Sequence, residues 1–279
     1  TLSASVGGEN SAGYFSLNVY ENKYISKQQD FRRLSGRINT SFEFFDDRLT
    51  IGENLMINHG VDNGLKSGGG YGNAFDIRPM IPVRLPNGEF SGPPTGNFAD
   101  VQNPLQVLTL NRHDQHKDLN VFGNVFLDFN LTDNILLSTH AGLDWDNRKD
   151  RDIQRRYQSG FMQRDPNVLS RADIRRRQLT FNQTIEYSTD IGNSNINALV
   201  GGEIVDETFE TFRARSSDFE VQTLDYLVEN ASVGTRNTSG TESEWTLLSG
   251  FSKVDYSYQN KYLLSGTLRY DGSSKLGEE

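Results

Sequence analysis

The C-terminal stretch Trp245–Glu279, WTLLSGFSKVDYSYQNKYLLSGTLRYDGSSKLGEE, decides how the chain is read. Two runs meet at the short polar pair Gln259-Asn260. In the second run Tyr262, Leu264, Gly266, Leu268 and Tyr270 alternate with Leu263, Ser265, Thr267, Arg269 and Asp271. One face is apolar or small and the other mostly polar, the period of two that marks a strand. The apolar face begins and ends on tyrosine, and at about 3.3 Å per residue it is roughly 26 Å long. Tilted by about 40° it spans roughly 20 Å, close to the outward apolar band of a membrane barrel with its aromatic girdles.

The same unit recurs upstream. Leu34, Gly36, Ile38, Thr40, Phe42 and Phe44 oppose Arg33, Ser35, Arg37, Asn39, Ser41 and Glu43, and Asp46-Asp47 turns the chain into Leu49, Ile51, Leu55 and Ile57, a run that Glu53 interrupts. Leu119 to Leu131 gives a second clean run opposite Asn120, Asn124, Asp128 and Asn130, and Thr132-Asp133-Asn134 turns it into Ile135–Trp145. Leu179, Phe181, Ile185 and Tyr187 return through Asp190–Ser194 into Ile196, Ala198, Val200, Gly202 and Ile204. At the N-terminal end Leu2, Ala4 and Val6 lead through a turn expected at Asn10–Gly13 to Phe15, Leu17 and Val19. The count is about ten strands. Short turns near 46, 133, 192 and 260 alternate with long stretches near 60–117, 147–172 and 206–243. The first of these carries Gly68-Gly69-Gly70 and every proline but Pro166, and its length makes it functional rather than a mere connection. Short turns on one side and long loops on the other are the asymmetry of an outer-membrane barrel, periplasmic below and extracellular above. The expected fold class is therefore all-β: a transmembrane antiparallel β-barrel, present in part.

Composition agrees with this and excludes much else. The net charge of -9 argues against nucleic acid as a partner, and the absence of cysteine removes disulfides and thiolate metal sites. A hydrophobic share of 35% would ordinarily suggest a soluble chain. Barrels escape that inference because only alternate residues face lipid. No run of about 18 apolar residues exists, so no membrane helix is expected. His113-Asp114-Gln115-His116 lacks further ligands, and Asp144, Asp146, Asp150 and Asp152 lack a glycine-centred calcium loop. No catalytic spacing stands out, so neither an enzyme, a metal site nor a cofactor is expected.

The C-terminal stretch also carries a family resemblance. Tyr256, Tyr258, Lys261, Tyr262, Leu263 and Leu264, then Arg269, Asp271, Gly272, Ser273 and Ser274, resemble the barrel of SusC/RagA-type TonB-dependent outer-membrane transporters. LSASVGGENSAGYFSLNVYE near the N-terminus, with Asp30-Phe31-Arg32-Arg33 and Arg37-Ile38-Asn39, resembles an early hairpin and strand of the same family. The resemblance implies about ten strands of a larger, 22-stranded barrel. It places residues 1–279 in the wall, with the N-terminal plug, the TonB-contacting region and the remaining strands outside this chain. It implies energised uptake of a bulky nutrient, an oligosaccharide or peptide, in the outer membrane of a Gram-negative bacterium, with a SusD-like surface lipoprotein over the extracellular loops. The ending Leu276-Gly277-Glu278-Glu279 falls where an extracellular loop is expected, without the aromatic strand that closes a bacterial barrel. That weighs against one alternative, a self-contained small barrel with a structural, adhesive or porin role; strand length and girdle-placed tyrosines weigh against another, a soluble β-sandwich binding module.

Candidate site residues follow from position. In the long loops, aromatics for stacking (Tyr71, Phe75, Phe90, Phe98, Tyr226) and polar groups for hydroxyls (Asp76, Asn97, Asp100, Asp225, Asn230) are expected to bind substrate. Arg37, Asn39, Asn124, Asp128, His140 and Arg269 are expected to face the lumen. Arg175 and Arg177 share parity with Leu179 and Phe181, so they are expected outward at the extracellular rim, facing outer-membrane lipid and lipopolysaccharide phosphates.

Overall fold

The structure, a computed structural model, describes residues 1–64, 69–97, 101–219 and 235–276. Ten strands form one antiparallel sheet: β1 (Leu2–Gly8), β2 (Ser11–Lys23), β3 (Asp30–Phe44), β4 (Leu49–Asn63), β5 (Gln115–Thr132), β6 (Ile135–Gln154), β9 (Val168–Ile191), β10 (Ser194–Ser217), β11 (Asn237–Tyr258) and β12 (Tyr262–Ser273). Each pairs with its neighbour in sequence, apart from the step between β6 and β9. There the chain makes a separate hairpin, β7 (Tyr157–Ser159) and β8 (Met162–Arg164). The result is an open arc of barrel wall.

Register turns the period-two pattern into two faces. Ile38 pairs with Leu55, Leu55 with Gly123, Gly123 with Leu143, and Leu143 with Leu179. Farther along the wall, Val200 opposes Ile185 and Ile204 opposes Phe181 and Leu248. This is the outward, lipid-facing surface, and many of its large side chains are exposed, Val125 at 56% and Val200 at 56%. Phe44, Phe129, Tyr187, Tyr256, Tyr258 and Tyr262 share this face beside the short turns, as a girdle should. The turns are tight because their residues accept left-handed backbone: Asp46 and Asp47 have φ 54° and 64°, and Gln259 and Asn260 both 53°.

Several boundaries differ from the sequence reading. The first turn is Glu9–Asn10, and β2 already begins at Ser11. The long stretches are shorter than expected, because β6 runs to Gln154, β9 starts at Val168, β10 reaches Ser217 and β11 starts at Asn237. Above the membrane both faces of a strand are polar, so alternation loses its contrast where Asn147, Lys149 and Arg151 oppose Arg148, Asp150 and Asp152. The stretch between β4 and β5 is not wholly irregular either. It holds α1 (Gly69–Asp76) and α2 (Pro104–Leu110), each too short for helical periodicity to show.

The buried apolar cluster sits at the long-loop end rather than inside the wall. Ile153, Leu169 and Phe219 pack together there, and Asn167, fully buried, pairs both ways with the Phe219 backbone. The segment between β4 and β5 folds around Asn103, which is 1% exposed. Its side chain accepts from the N–H groups of Leu105 (3.1 Å) and Gln106 (3.2 Å), capping α2, and donates to the carbonyls of Val83 (2.9 Å) and Ser91 (2.8 Å). The segment then docks on the β7–β8 hairpin: Phe161 N–H donates to Pro93 O at 2.7 Å, and Ser159 Oγ to Phe90 O at 3.4 Å. Gly92 lies against the Ser159 carbonyl so closely that any Cβ would overlap it, and Gly160 turns beneath Pro93 at φ 60°.

Candidate functional site on the inner wall and long loops

The inner face is built from every second residue of the strands, so its chemistry is set by register. Asn58 donates to Asn120 (3.1 Å) and Asn120 to Asp146 (2.7 Å). Arg176 stands 3.7 Å from both Asp144 and Asp146, and its Nε donates to Glu207 at 3.0 Å. Trp245 Nε1 donates to the other oxygen of Glu207 at 2.8 Å. A polar belt thus crosses β4, β5, β6, β9, β10 and β11, with Arg176 set among Asp144, Asp146 and Glu207. Arg176 is its hub. Sequence reading singled out the flanking Arg175 and Arg177, although the same parity already assigns Arg176 to the inner face.

Arg37, Asn39, Asn124, Asp128, His140 and Arg269 all lie in rows opposite the lipid-facing ones. They do not converge on one point. Arg37 contacts Met56 Sδ at 3.6 Å, Asn124 accepts from Asn54 at 3.1 Å, and His140 stacks on Phe126 with centroids 6.0 Å apart. Arg269 donates to Asp271 (2.8 Å), Ser249 (2.9 Å) and Glu203 (3.3 Å). Asp128 Oδ1 is shielded with no hydrogen-bond partner among the described residues.

Arg175 and Arg177 lie in the outward rows, opposite Asn147 and Trp145 respectively. Both are half-exposed, and carboxylates already attend them: Arg175 bonds Asp173 (3.1 Å) and approaches Glu210 (3.5 Å), and Arg177 lies 3.9 Å from Asp206.

Of the loop candidates, Phe75 is 87% exposed at the end of α1, beside exposed Asp76, and Asn97 is exposed. Phe90 is instead a packing anchor, with the Arg84 guanidinium 4.1 Å above its ring. Tyr71 lies within α1. Phe98, Asp100, Asp225, Tyr226 and Asn230 fall outside the described residues. His116 Nδ1 is 2.7 Å from Asp150, and no group of three metal-ligating side chains occurs among the described residues. Asp114, above the apolar band, accepts from the Ile153 N–H at 2.7 Å, and burial pushes its carboxyl up to about 7 against that bond.

An antiparallel wall with an apolar outer face, a polar inner face, short turns below and long structured loops above defines part of a transmembrane barrel of the outer-membrane type. The comparisons narrow the class. The chain is 26% identical over 302 residues to the TonB-dependent receptor SusC of Bacteroides thetaiotaomicron, covering 100% of this chain and 29% of that protein. It is likewise 26% identical over 290 residues to the TonB-dependent receptor P26 of Formosa agariphila, covering 28% of that protein. The chain therefore spans under a third of the length of these relatives. No protein-family model matches it. Among solved structures, the RagAB peptide importer in its open-open state superimposes with a TM-score of 0.81 at 20% identity, over 99% of this chain and 31% of that one. The siderophore receptor PiuA of Acinetobacter baumannii does so at 0.56 and 14%, over 97% and 40%. The resemblance to SusC/RagA-type transporters thus extends over the whole chain. These relatives are transporters and receptors, not enzymes.

Proposed function

We propose that this chain is part of the barrel wall of a TonB-dependent transporter in the outer membrane of a Gram-negative bacterium. The transporter imports a bulky nutrient, an oligosaccharide or peptide, with a SusD-like surface lipoprotein over its extracellular loops. TonB acts through an N-terminal region outside this chain. The observation that carries the reading is the likeness to SusC over the whole of this chain, joined to a wall whose inner rows are mostly polar. Substrate selection belongs to the long loops, where exposed Phe75, Asp76 and Asn97 meet the solvent from which a ligand arrives. The lumen-facing side chains line the route below. Arg175 and Arg177 meet the phosphates of outer-membrane lipopolysaccharide at the rim, a role supported by their outward rows and tempered by the carboxylates beside them.

The test uses the intact transporter in cells. Uptake of a labelled ligand should cease when the proton-motive force is collapsed. Deleting residues 68–98 should abolish binding of ligand or lipoprotein while the barrel keeps its fold, since loop changes are tolerated better than strand changes. Passive permeation unaffected by either treatment would refute the reading and identify a porin.

A further inference from the structure

At the extracellular end of the inner wall, two arginines stand apart from the carboxylate-paired arginines below. Elsewhere on the inner face of β6, β9 and β12 the arginines have carboxylate partners: Arg148 with Asp150 at 2.8 Å, Arg176 with Glu207 at 3.0 Å, Arg269 with Asp271 at 2.8 Å. Arg213 and Arg215, on β10, are exposed, and among the described residues no carboxylate pairs with either. Their cross-strand neighbours are too short to occupy them. Arg213 opposes Ala172 and Ser239, and Arg215 opposes Ser170 and Asn237. Two guanidinium groups on one face, about 6.7 Å apart along the strand, repel each other, and among the described residues no carboxylate takes up their fork of donors.

The opposite side of this trough is acidic. Asp150 and Asp152 on β6 face Ala172 and Ser170 from the other edge. Asp150 is held by His116 and Arg148, and half-exposed Asp152 lies 3.9 Å from His116 Nε2. The trough between the two walls encloses about 310 Å³. Its width is two interstrand spacings, about 9.5 Å, which a chain of about three residues bridges when extended.

We propose that this trough is a binding subsite for a short zwitterionic chain, an oligopeptide, whose carboxylate is taken by Arg213 and Arg215 and whose ammonium group lies toward Asp152. Bidentate guanidinium–carboxylate pairing supplies the affinity at one end. The acidic wall disfavours a ligand that is anionic at both ends. Asn237, with its amide, and Ser239, with its hydroxyl, flank the arginines and can bond peptide groups between the ends. The inference rests on the importer reading and deepens it, because it puts a specificity determinant on the wall as well as in the loops.

The experiment is calorimetric titration of the full-length transporter in detergent with tri-alanine, its C-terminal amide, its N-acetyl derivative and a uronic-acid trisaccharide. Tri-alanine should bind, and amidation should weaken it by about tenfold or more, as the loss of charge-assisted hydrogen bonds requires. The paired change Arg213→Gln and Arg215→Gln should produce the same loss and make amidation inconsequential, with Arg213→Lys and Arg215→Lys restoring part of it. N-acetylation should weaken binding in wild type and the Gln variant alike. Retained heat-modifiable migration shows that each variant is folded. Absent tri-alanine binding, indifference to amidation, or trisaccharide binding as tight as tri-alanine would overturn the proposal. Failure of energised uptake in cells would overturn the importer reading instead, and leaves the binding result separately legible.

Discussion

Asn103 is the point at which the long segment between β4 and β5 can be loosened without touching the wall. All four hydrogen bonds of its side chain go to that segment: two cap α2 and two reach the carbonyls of Val83 and Ser91. Asn103→Ala removes the cap, worth about 1 kcal/mol. It also strips Ser91 O of its bond at a site where the side chain was 1% exposed. An orphaned buried carbonyl costs about 1–3 kcal/mol. Val83 O keeps the Ser91 N–H at 3.2 Å and adds less. The local loss is therefore about 2–4 kcal/mol, equivalent to a roughly 30- to 700-fold rise in opening. Hydrogen exchange of the intact transporter in detergent should show that loss of protection over residues 83–110, with β5 and β6 unchanged. Asn103→Asp is the informative companion. It can still accept from the α2 N–H groups but sets a carboxylate against two carbonyl oxygens, so it should be at least as damaging at neutral pH. Unchanged protection in the segment, or equal loss in β5 and β6, would refute the reasoning.

Three further outcomes are expected. Arginine at outward Val125 should cost about 2–4 kcal/mol near the midplane, and arginine at inward Asn124 much less; reversible unfolding of the full-length barrel in lipid measures both, and equal costs would contradict the assignment of faces. Gly92→Val should undock the segment from the β7–β8 hairpin, because its side chain would meet the Ser159 carbonyl, and limited proteolysis should then cleave near residues 92–96 faster than in wild type. Asp114 binds its proton more tightly in the fold than in the unfolded chain, so its contribution is full below an unfolded pKa near 3.8 and is lost as pH rises through about 7. Exchange at the Ile153 amide, corrected for intrinsic rate, should therefore quicken between pH 5 and 8, and Asp114→Asn should flatten that dependence.

The alternation in Tyr262–Tyr270, Leu34–Phe44 and Leu119–Leu131 was enough to specify strands, their two faces and their membrane-spanning length. Lipid rewards an apolar side chain at every second position and leaves that record in the sequence. Aspartate pairs and Gln259-Asn260 likewise marked the tight turns, because few residues accept left-handed backbone. The record fades above the membrane, where both faces meet water. The upper halves of β6, β9, β10 and β11 therefore read as loop, and α1 and α2 are too short to show a helical period. Which arginine is matched was decided only in the folded wall. Arg176 meets Glu207, 31 positions away, while Arg213 and Arg215 meet Ala172 and Ser170, because antiparallel register brings distant residues opposite each other. Asn103 was equally silent: its worth lies in four backbone groups that only the folded segment gathers around one amide.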